Sequence, residues 1–202
     1  MRKMRQTSIL AAVALACASM ALAEVDIVAK GKIEGTVKGI SGLENALIYV
    51  EDAPGEAVPG VRYAIDQVDK VFLPYVLPVP AGEEVVFVNS DPILHNVHSY
   101  DGKKTIFNWG MPLQGFEMKK RFEDPGDVLL LCDVHPEMEA WIKVVPTPYY
   151  TMANENGTFT LEGVPAGQYP VTAWHPRAKK PQSLTVNIPA DGVAQAEFKL
   201  KK

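Results

Sequence analysis

The residues with the most distinctive chemistry lie in one stretch, Leu129–Met138 (LLLCDVHPEM). Cys132, His135 and Met138 recur there at intervals of three, between two apolar runs, and His95 stands earlier in the chain. A thiolate and a thioether are soft donors that suit Cu(I), while imidazole also suits Cu(II). These residue types match a copper site with two histidines, one cysteine and a weak axial methionine.

Other chemistries fit the sequence less well. Structural zinc prefers four Cys, His or carboxylate donors, and the absence of a CxxC motif argues against a zinc ribbon or an iron–sulfur cluster. No CxxCH, GxSxG, HExxH or P-loop motif is present. The four histidines are too few for a second copper centre of the oxidase or nitrite reductase kind, so we expect no enzyme activity.

Each candidate ligand also has a structural interpretation. A free cysteine is commonly a buried, inert thiol, and Met138 or His95 alone would more often belong to the core. The combination of Cys132, His135 and Met138 in one loop, with an upstream His-Asn pair, favours metal binding over these interpretations.

Residues 1–23 are predicted to be a signal peptide. A positively charged start precedes a short apolar run, Ile9–Ala16, and Ala21 and Ala23 provide the small residues of a cleavage site. A lipoprotein signal that uses Cys17 and an uncleaved anchor are the alternatives. We therefore expect a periplasmic protein with no membrane span after cleavage.

The mature chain is acidic and has one cysteine. Cleavage leaves 17 Lys and Arg against 24 Asp and Glu, a net charge of −7. This charge argues against nucleic acid as a partner and is compatible with basic redox partners. Only Cys132 of the two cysteines remains, so the chain is not a disulfide scaffold, and its thiol should be buried or bound to metal.

Short β-rich runs and frequent turn signals predict an all-β sandwich. Within this pattern, Val71–Val79 contains Pro74 and Pro78, which restrict it to an edge or bulged strand. Asp101–Phe116 is expected to be irregular. No amphipathic helix longer than two turns is predicted.

The sequence predicts two units after the signal peptide. The first spans residues 24–146 with a core at 61–145, and the second is an all-β region at 147–202. The second is near the lower size limit for an independent core. It either packs on the first unit or is completed by strands from elsewhere, for which residues 31–52 are a candidate.

Two motifs carry a resemblance to a known family. His95–His98 (HNVH) and Cys132–Met138 (CDVHPEM) resemble the copper motifs of the plastocyanin/azurin family of cupredoxins, with an amicyanin-like copper loop. The pattern TPYY…GTF…VPAGQYPVTAWHP resembles the carboxypeptidase-regulatory-like tail of methylamine-utilization-type proteins. The resemblance implies a Greek-key cupredoxin β-sandwich followed by a small carboxypeptidase-regulatory-like β region.

The resemblance also implies a cofactor and a ligand set. It implies one type 1 (blue) copper per chain, with His95, Cys132 and His135 as equatorial ligands and Met138 as the axial ligand. The implied function is one-electron transfer between periplasmic redox partners such as a cytochrome or a dehydrogenase. A copper-binding or delivery protein, or a non-catalytic β-sandwich accessory module, is the alternative.

Two residues are expected to act on the metal through its ligands. By the resemblance, Asn96 ties the two ligand loops together and its backbone N–H points at the cysteine sulfur. Val134 stands where relatives have proline. Because Val134 keeps its N–H, it can donate a second hydrogen bond to the thiolate, which would favour Cu(I).

Overall fold

A computed structural model describes residues 29–202 of the protein. Apart from one short 3-10 helix, Leu43–Asn45, the regular structure in this range is β-strand, so the predicted all-β class is confirmed. The predicted signal peptide at 1–23 and Cys17 lie outside the described residues. Between residues 29 and 202, no helix has the length and apolar character that a bilayer crossing requires.

The strands described in this range are β1 (Lys30–Lys38), β2 (Leu47–Val50), β3 (Tyr63–Val68), β4 (Val71–Leu73), β5 (Val76–Pro80), β6 (Glu84–Asn89), β7 (His95–Asp101), β8 (Lys104–Met111), β9 (Phe116–Arg121), β10 (Gly126–Leu131), β11 (Glu139–Val145), β12 (Tyr150–Met152), β13 (Thr158–Pro165), β14 (Gly167–Trp174), β15 (Gln182–Ile188) and β16 (Val193–Lys199).

Strands β3 to β11 form what we call the central sandwich. Its five-stranded sheet has the order β5-β11-β10-β7-β8 and its four-stranded sheet has the order β4-β3-β6-β9. The pairs β5–β11 and β3–β6 are parallel and the others are antiparallel. One apolar cluster, which includes Phe72, Phe87, Leu130 and Ile142, fills the space between the sheets.

The remaining strands form the terminal sandwich. Its sheets have the orders β13-β1-β16 and β12-β2-β14-β15, so β1 and β2 lie among strands that follow residue 149. In β16 the residues alternate between exposed and buried along the whole strand, as expected for a sheet with one face in a core. The domain limits 24–146 and 147–202 stay predictions.

The two sandwiches share an aromatic contact. Trp174 of β14 and Trp141 of β11 meet edge to face with their ring centroids 6.2 Å apart. Lys143 on β11 lies over the rings of Tyr49 and Trp174 and binds the Asp127 carboxylate at 2.6 Å. The Trp174 indole N–H donates to the same carboxylate at 3.1 Å. The polar groups at this contact are therefore paired with one another.

The expectation for Asp101–Phe116 was wrong, because the segment contains β8. This strand is at the edge of the five-stranded sheet, where most of its residues are exposed. Phe107 and Trp109 point to one face, stack at 3.9 Å and pack against Phe87. A largely exposed edge strand with two inward aromatic residues gives a weak local signal, and pairing with β7 decides its structure.

The proline-containing run Val71–Val79 divides into β4 and β5. Each lies at the edge of a different sheet of the central sandwich, and Pro74 lies in the bend between them. The edge placement predicted from the prolines is thus confirmed, since proline cannot donate a ladder hydrogen bond.

Gly35 permits the close approach of β1 to β16, and its replacement by alanine should destabilise the protein. A Cβ at Gly35 would overlap the backbone oxygen of Ala196 and lie 2.8 Å from Cζ of Phe159. We expect Gly35→Ala to lower the free energy of unfolding by about 3 kcal/mol through overpacking, measured by urea denaturation.

Gly110→Ala is the matched control, because Gly110 is also a strand glycine and a Cβ there meets nothing within 4 Å. It should be neutral or slightly stabilising, since alanine loses less backbone entropy than glycine. Equal effects of the two substitutions would contradict the β1–β16 packing.

Candidate metal centre

Two neighbouring strands of the five-stranded sheet bring the sequence-predicted ligands together. His95 is the first residue of β7, and Cys132 follows the last residue of β10. These strands pair in antiparallel register, with Leu131 opposite His98. The start of β7 and the end of β10 therefore lie at the same end of the sandwich. The loop between β10 and β11, which carries His135 and Met138, lies at this end.

Three potential donor atoms converge at this end of the sandwich. The Nδ1 atoms of His95 and His135 are 2.9 Å apart, and Cys132 Sγ lies 4.0 Å from His95 Nδ1. One ligating atom from each residue lies within 4.8 Å of the other two. Bonds from zinc to nitrogen and sulfur are about 2.0 and 2.3 Å long, so a transition-metal ion of similar size can bridge His95 Nδ1 to His135 Nδ1 and to Cys132 Sγ at these separations.

The three donors differ in their exposure to solvent. The side chain of His95 is fully buried, Cys132 is 2% exposed, and His135 is only partly buried. Cys132 is the free thiol of the described residues. Two donors are therefore shielded from water, while His135 is partly exposed to solvent.

Met138 lies at the end of the same loop. Its side chain is 1% exposed and belongs to the apolar cluster that also contains Cys132. Its backbone N–H donates to the His135 carbonyl at 3.0 Å, which closes a tight turn between the two residues. Axial ligation by Met138 stays a prediction.

Asn96 connects β7 to the cysteine loop through its side chain. Its Oδ1 accepts the backbone N–H of Asp133 at 2.7 Å, and its Nδ2 donates to the Asp133 carboxylate at 2.9 Å. Asn108 donates to that carboxylate at 2.9 Å and accepts from Asn96. The residue after Cys132 is therefore held by several hydrogen bonds.

His98 lies outside the donor cluster. It is three residues after His95 and instead contacts Asp133, Tyr100 and Thr105. Hydrogen bonds from His98 and Asn108 hold the pKa of the Asp133 carboxyl below its usual value. The remaining histidine, His175, lies in the terminal sandwich, where its Nε2 contacts the Gly42 carbonyl.

Sequence reasoning missed Asp91, which lies 2.7 Å from His95 Nε2. Burial alone would raise the pKa of Asp91, but hydrogen bonds from Lys70, His95 and Asp69 hold it below the usual value. An acidic residue four positions before a candidate histidine ligand was the available signal. Asp91 lies in an Asn-Ser-Asp-Pro sequence, which is typical of a turn and gives no sign of a contact with His95.

The donor set has the chemistry of a transition-metal site. Two imidazole nitrogens and a thiol sulfur suit copper, zinc and related ions. Val134 has a 46% exposed side chain, and its role as a hydrogen-bond donor to the sulfur stays a prediction.

Comparison with known proteins gives partial structural similarity. No family model matches the chain, and no curated protein matches it. A purple cupredoxin from Nitrosopumilus maritimus is 25% identical over 41% of this chain and 99% of that chain, with a TM-score of 0.37. Amicyanin from Paracoccus versutus is 23% identical over 48% of this chain and 97% of that chain, with a TM-score of 0.39.

A copper-containing nitrite reductase from Thermus scotoductus is also similar. It is 21% identical over 55% of this chain and 28% of the reductase chain, with a TM-score of 0.38. These TM-scores are all below 0.4, and the similarities do not establish the family of this chain.

Substitution of Asn96 should loosen the cysteine loop. Asn96→Ala removes the acceptor of the Asp133 N–H, and loss of a partner for such a group costs about 1–3 kcal/mol. We expect hydrogen exchange of the Asp133 amide to accelerate on the order of tenfold or more, measured by NMR.

Asn108→Ala serves as the control, since it removes contacts to the Asp133 side chain but leaves the acceptor of its N–H in place. Protection of the Asp133 amide should persist in this variant. Unchanged exchange in Asn96→Ala would contradict the proposed restraint.

Proposed function

We propose that this protein is a one-electron carrier that binds a single type 1 copper through His95, Cys132, His135 and Met138. The observation that supports the proposal best is the convergence of two imidazole nitrogens and a buried thiol within 4.8 Å. When bound, copper at such a site supplies a Cu(II)/Cu(I) couple.

The donor types suit both oxidation states. The sulfur of Cys132 and the thioether of Met138 favour Cu(I), whereas the two imidazoles also satisfy Cu(II). The donors come from β7 and from a loop restrained by Asn96, so the chain limits their movement. A ligand set that needs little rearrangement suits fast electron transfer.

Burial of the donors favours a carrier over a protein that delivers copper. Delivery requires an incoming ligand to reach the metal, but His95 and Cys132 are shielded from solvent. His135 is the more accessible of the three donors. We propose that electrons enter and leave through its ring while the inner donors retain the metal.

The proposals for the partner and the compartment rest on the sequence. We propose export to the periplasm and a redox protein, such as a cytochrome or a dehydrogenase, as the partner. The net charge of −7 for the mature chain favours a partner with a basic surface. We propose no enzyme activity for the chain itself.

Visible spectroscopy of the copper-loaded mature protein tests this proposal. The wild type should show an intense thiolate-to-Cu(II) charge-transfer band and reversible one-electron voltammetry. Cys132→Ser should abolish the band, because a hydroxyl lacks the soft sulfur orbital that donates the charge.

Met152→Leu provides a control, since Met152 lies on β12 in the terminal sandwich and packs against the cluster that includes Val145 and Trp174, not against the cluster that contains Cys132 and Met138. It should leave both the band and the voltammetry unchanged. A colourless wild-type protein, or one that releases copper as soon as a competing ligand is added, would contradict the proposed function.

A further inference from the structure

The hairpin turn between β3 and β4 has an unusual backbone. Asp69 and Lys70 have φ angles of 52° and 61°, so both residues adopt the left-handed conformation although neither is glycine. Two such residues between paired strands correspond to a type I′ turn, which favours Asn, Asp or Gly at its first central position and Gly at its second, so Lys70 is the exceptional residue. A non-glycine residue in this conformation requires support from its surroundings.

The support is the carboxylate of Asp91. The Asp69 N–H donates to Oδ1 at 2.7 Å and the Lys70 N–H donates to Oδ2 at 2.9 Å. Asp91 is itself 6% exposed, and its own N–H donates to Asn89 Oδ1 at 3.0 Å. Bonds from backbone N–H groups to a carboxylate are stronger than bonds between neutral groups, so both oxygens are fixed in position.

The fixed carboxylate meets the inner histidine. Asp91 Oδ2 lies 2.7 Å from His95 Nε2, and the His95 side chain is fully buried. The opposite ring nitrogen, Nδ1, faces His135 and Cys132. The imidazole therefore lies between a carboxylate on one side and the donor cluster on the other.

We propose that Asp91, held by the Asp69–Lys70 turn, is a positioning residue that keeps the proton of His95 on Nε2 and directs the Nδ1 lone pair at the metal site. The inference rests on the proposed function for its effect on copper, but the tautomer itself does not require copper. Carboxylate partners of this kind orient metal-ligating histidines and raise their basicity.

The first test is the tautomer of His95 in the metal-free wild type, read from its nitrogen chemical shifts at about pH 8. We expect the proton on Nε2 of His95. A proton on Nδ1 would overturn the proposal, whether or not the protein binds copper.

The second test compares Asp91→Asn with Asp66→Asn. Asp66 also contacts the segment before β7, through Ser90 at 2.8 Å, but its carboxylate bonds Ser90 and Gln67 instead of His95. We expect Asp91→Asn to weaken Zn(II) and Cu(II) binding by about 10–100-fold and to leave Cu(I) binding less affected.

The midpoint potential should rise in Asp91→Asn, by about 59 mV for each tenfold loss of Cu(II) affinity relative to Cu(I). Asp66→Asn should change neither affinity nor potential appreciably. Equal effects of the two substitutions on affinity and potential would overturn the role of Asp91. A wild type that binds zinc with His95 in the expected tautomer but lacks the charge-transfer band with copper would refute only the proposed function.

Discussion

Two imidazoles and a thiol lie together at the end of an apolar core. The surrounding residues must give these buried groups hydrogen-bond partners and hold them in position. A buried polar group without a hydrogen-bond partner lowers the stability of the fold. Asp91 satisfies the inner side of His95, and Asn96 fixes the backbone after Cys132. The donors are thus restrained by hydrogen bonds to other groups of the protein.

The restraints come from parts of the chain that are distant in sequence. The parallel pairing of β3 with β6 brings the Asp69–Lys70 turn to the segment after β6, where Asp91 accepts its N–H groups. The antiparallel pairing of β7 with β8 brings Asn108 opposite His98, beside Asp133. The geometry of the centre therefore depends on correct strand register throughout the central sandwich.

The terminal sandwich is linked to the same five-stranded sheet. Trp174 packs against Trp141, and Asp127 on β10 accepts from both the Trp174 indole and Lys143. Asp127 is near the beginning of β10, whereas Cys132 follows its end. The terminal sandwich thus contacts β10 and β11, the two strands that the donor loop connects. The contact with β10 is near the beginning of the strand, away from the end that precedes Cys132.

Sequence alone predicts much of what is local and little of what is paired at long range, although it offered residues 31–52 as a candidate to complete the second unit. The β class follows from short apolar runs, and the clustering of Cys132, His135 and Met138 follows from their spacing in one loop. His95 was included for its residue type and the His-Asn pair that it begins, without support from local spacing, because 37 residues separate it from Cys132. The parallel pairing of β1 with β16 and the contact of Asp91 with the Asp69–Lys70 turn leave no local pattern, since tertiary packing decides them.

X-ray absorption at the copper edge, on the loaded protein in both oxidation states, tests the central claim most directly. If the chain holds two imidazoles and one thiolate in a fixed arrangement, both states should show one short copper–sulfur bond and two copper–nitrogen bonds with little change between them. Absence of the short sulfur bond, or a change of ligand number on reduction, would contradict a centre preorganised by the protein.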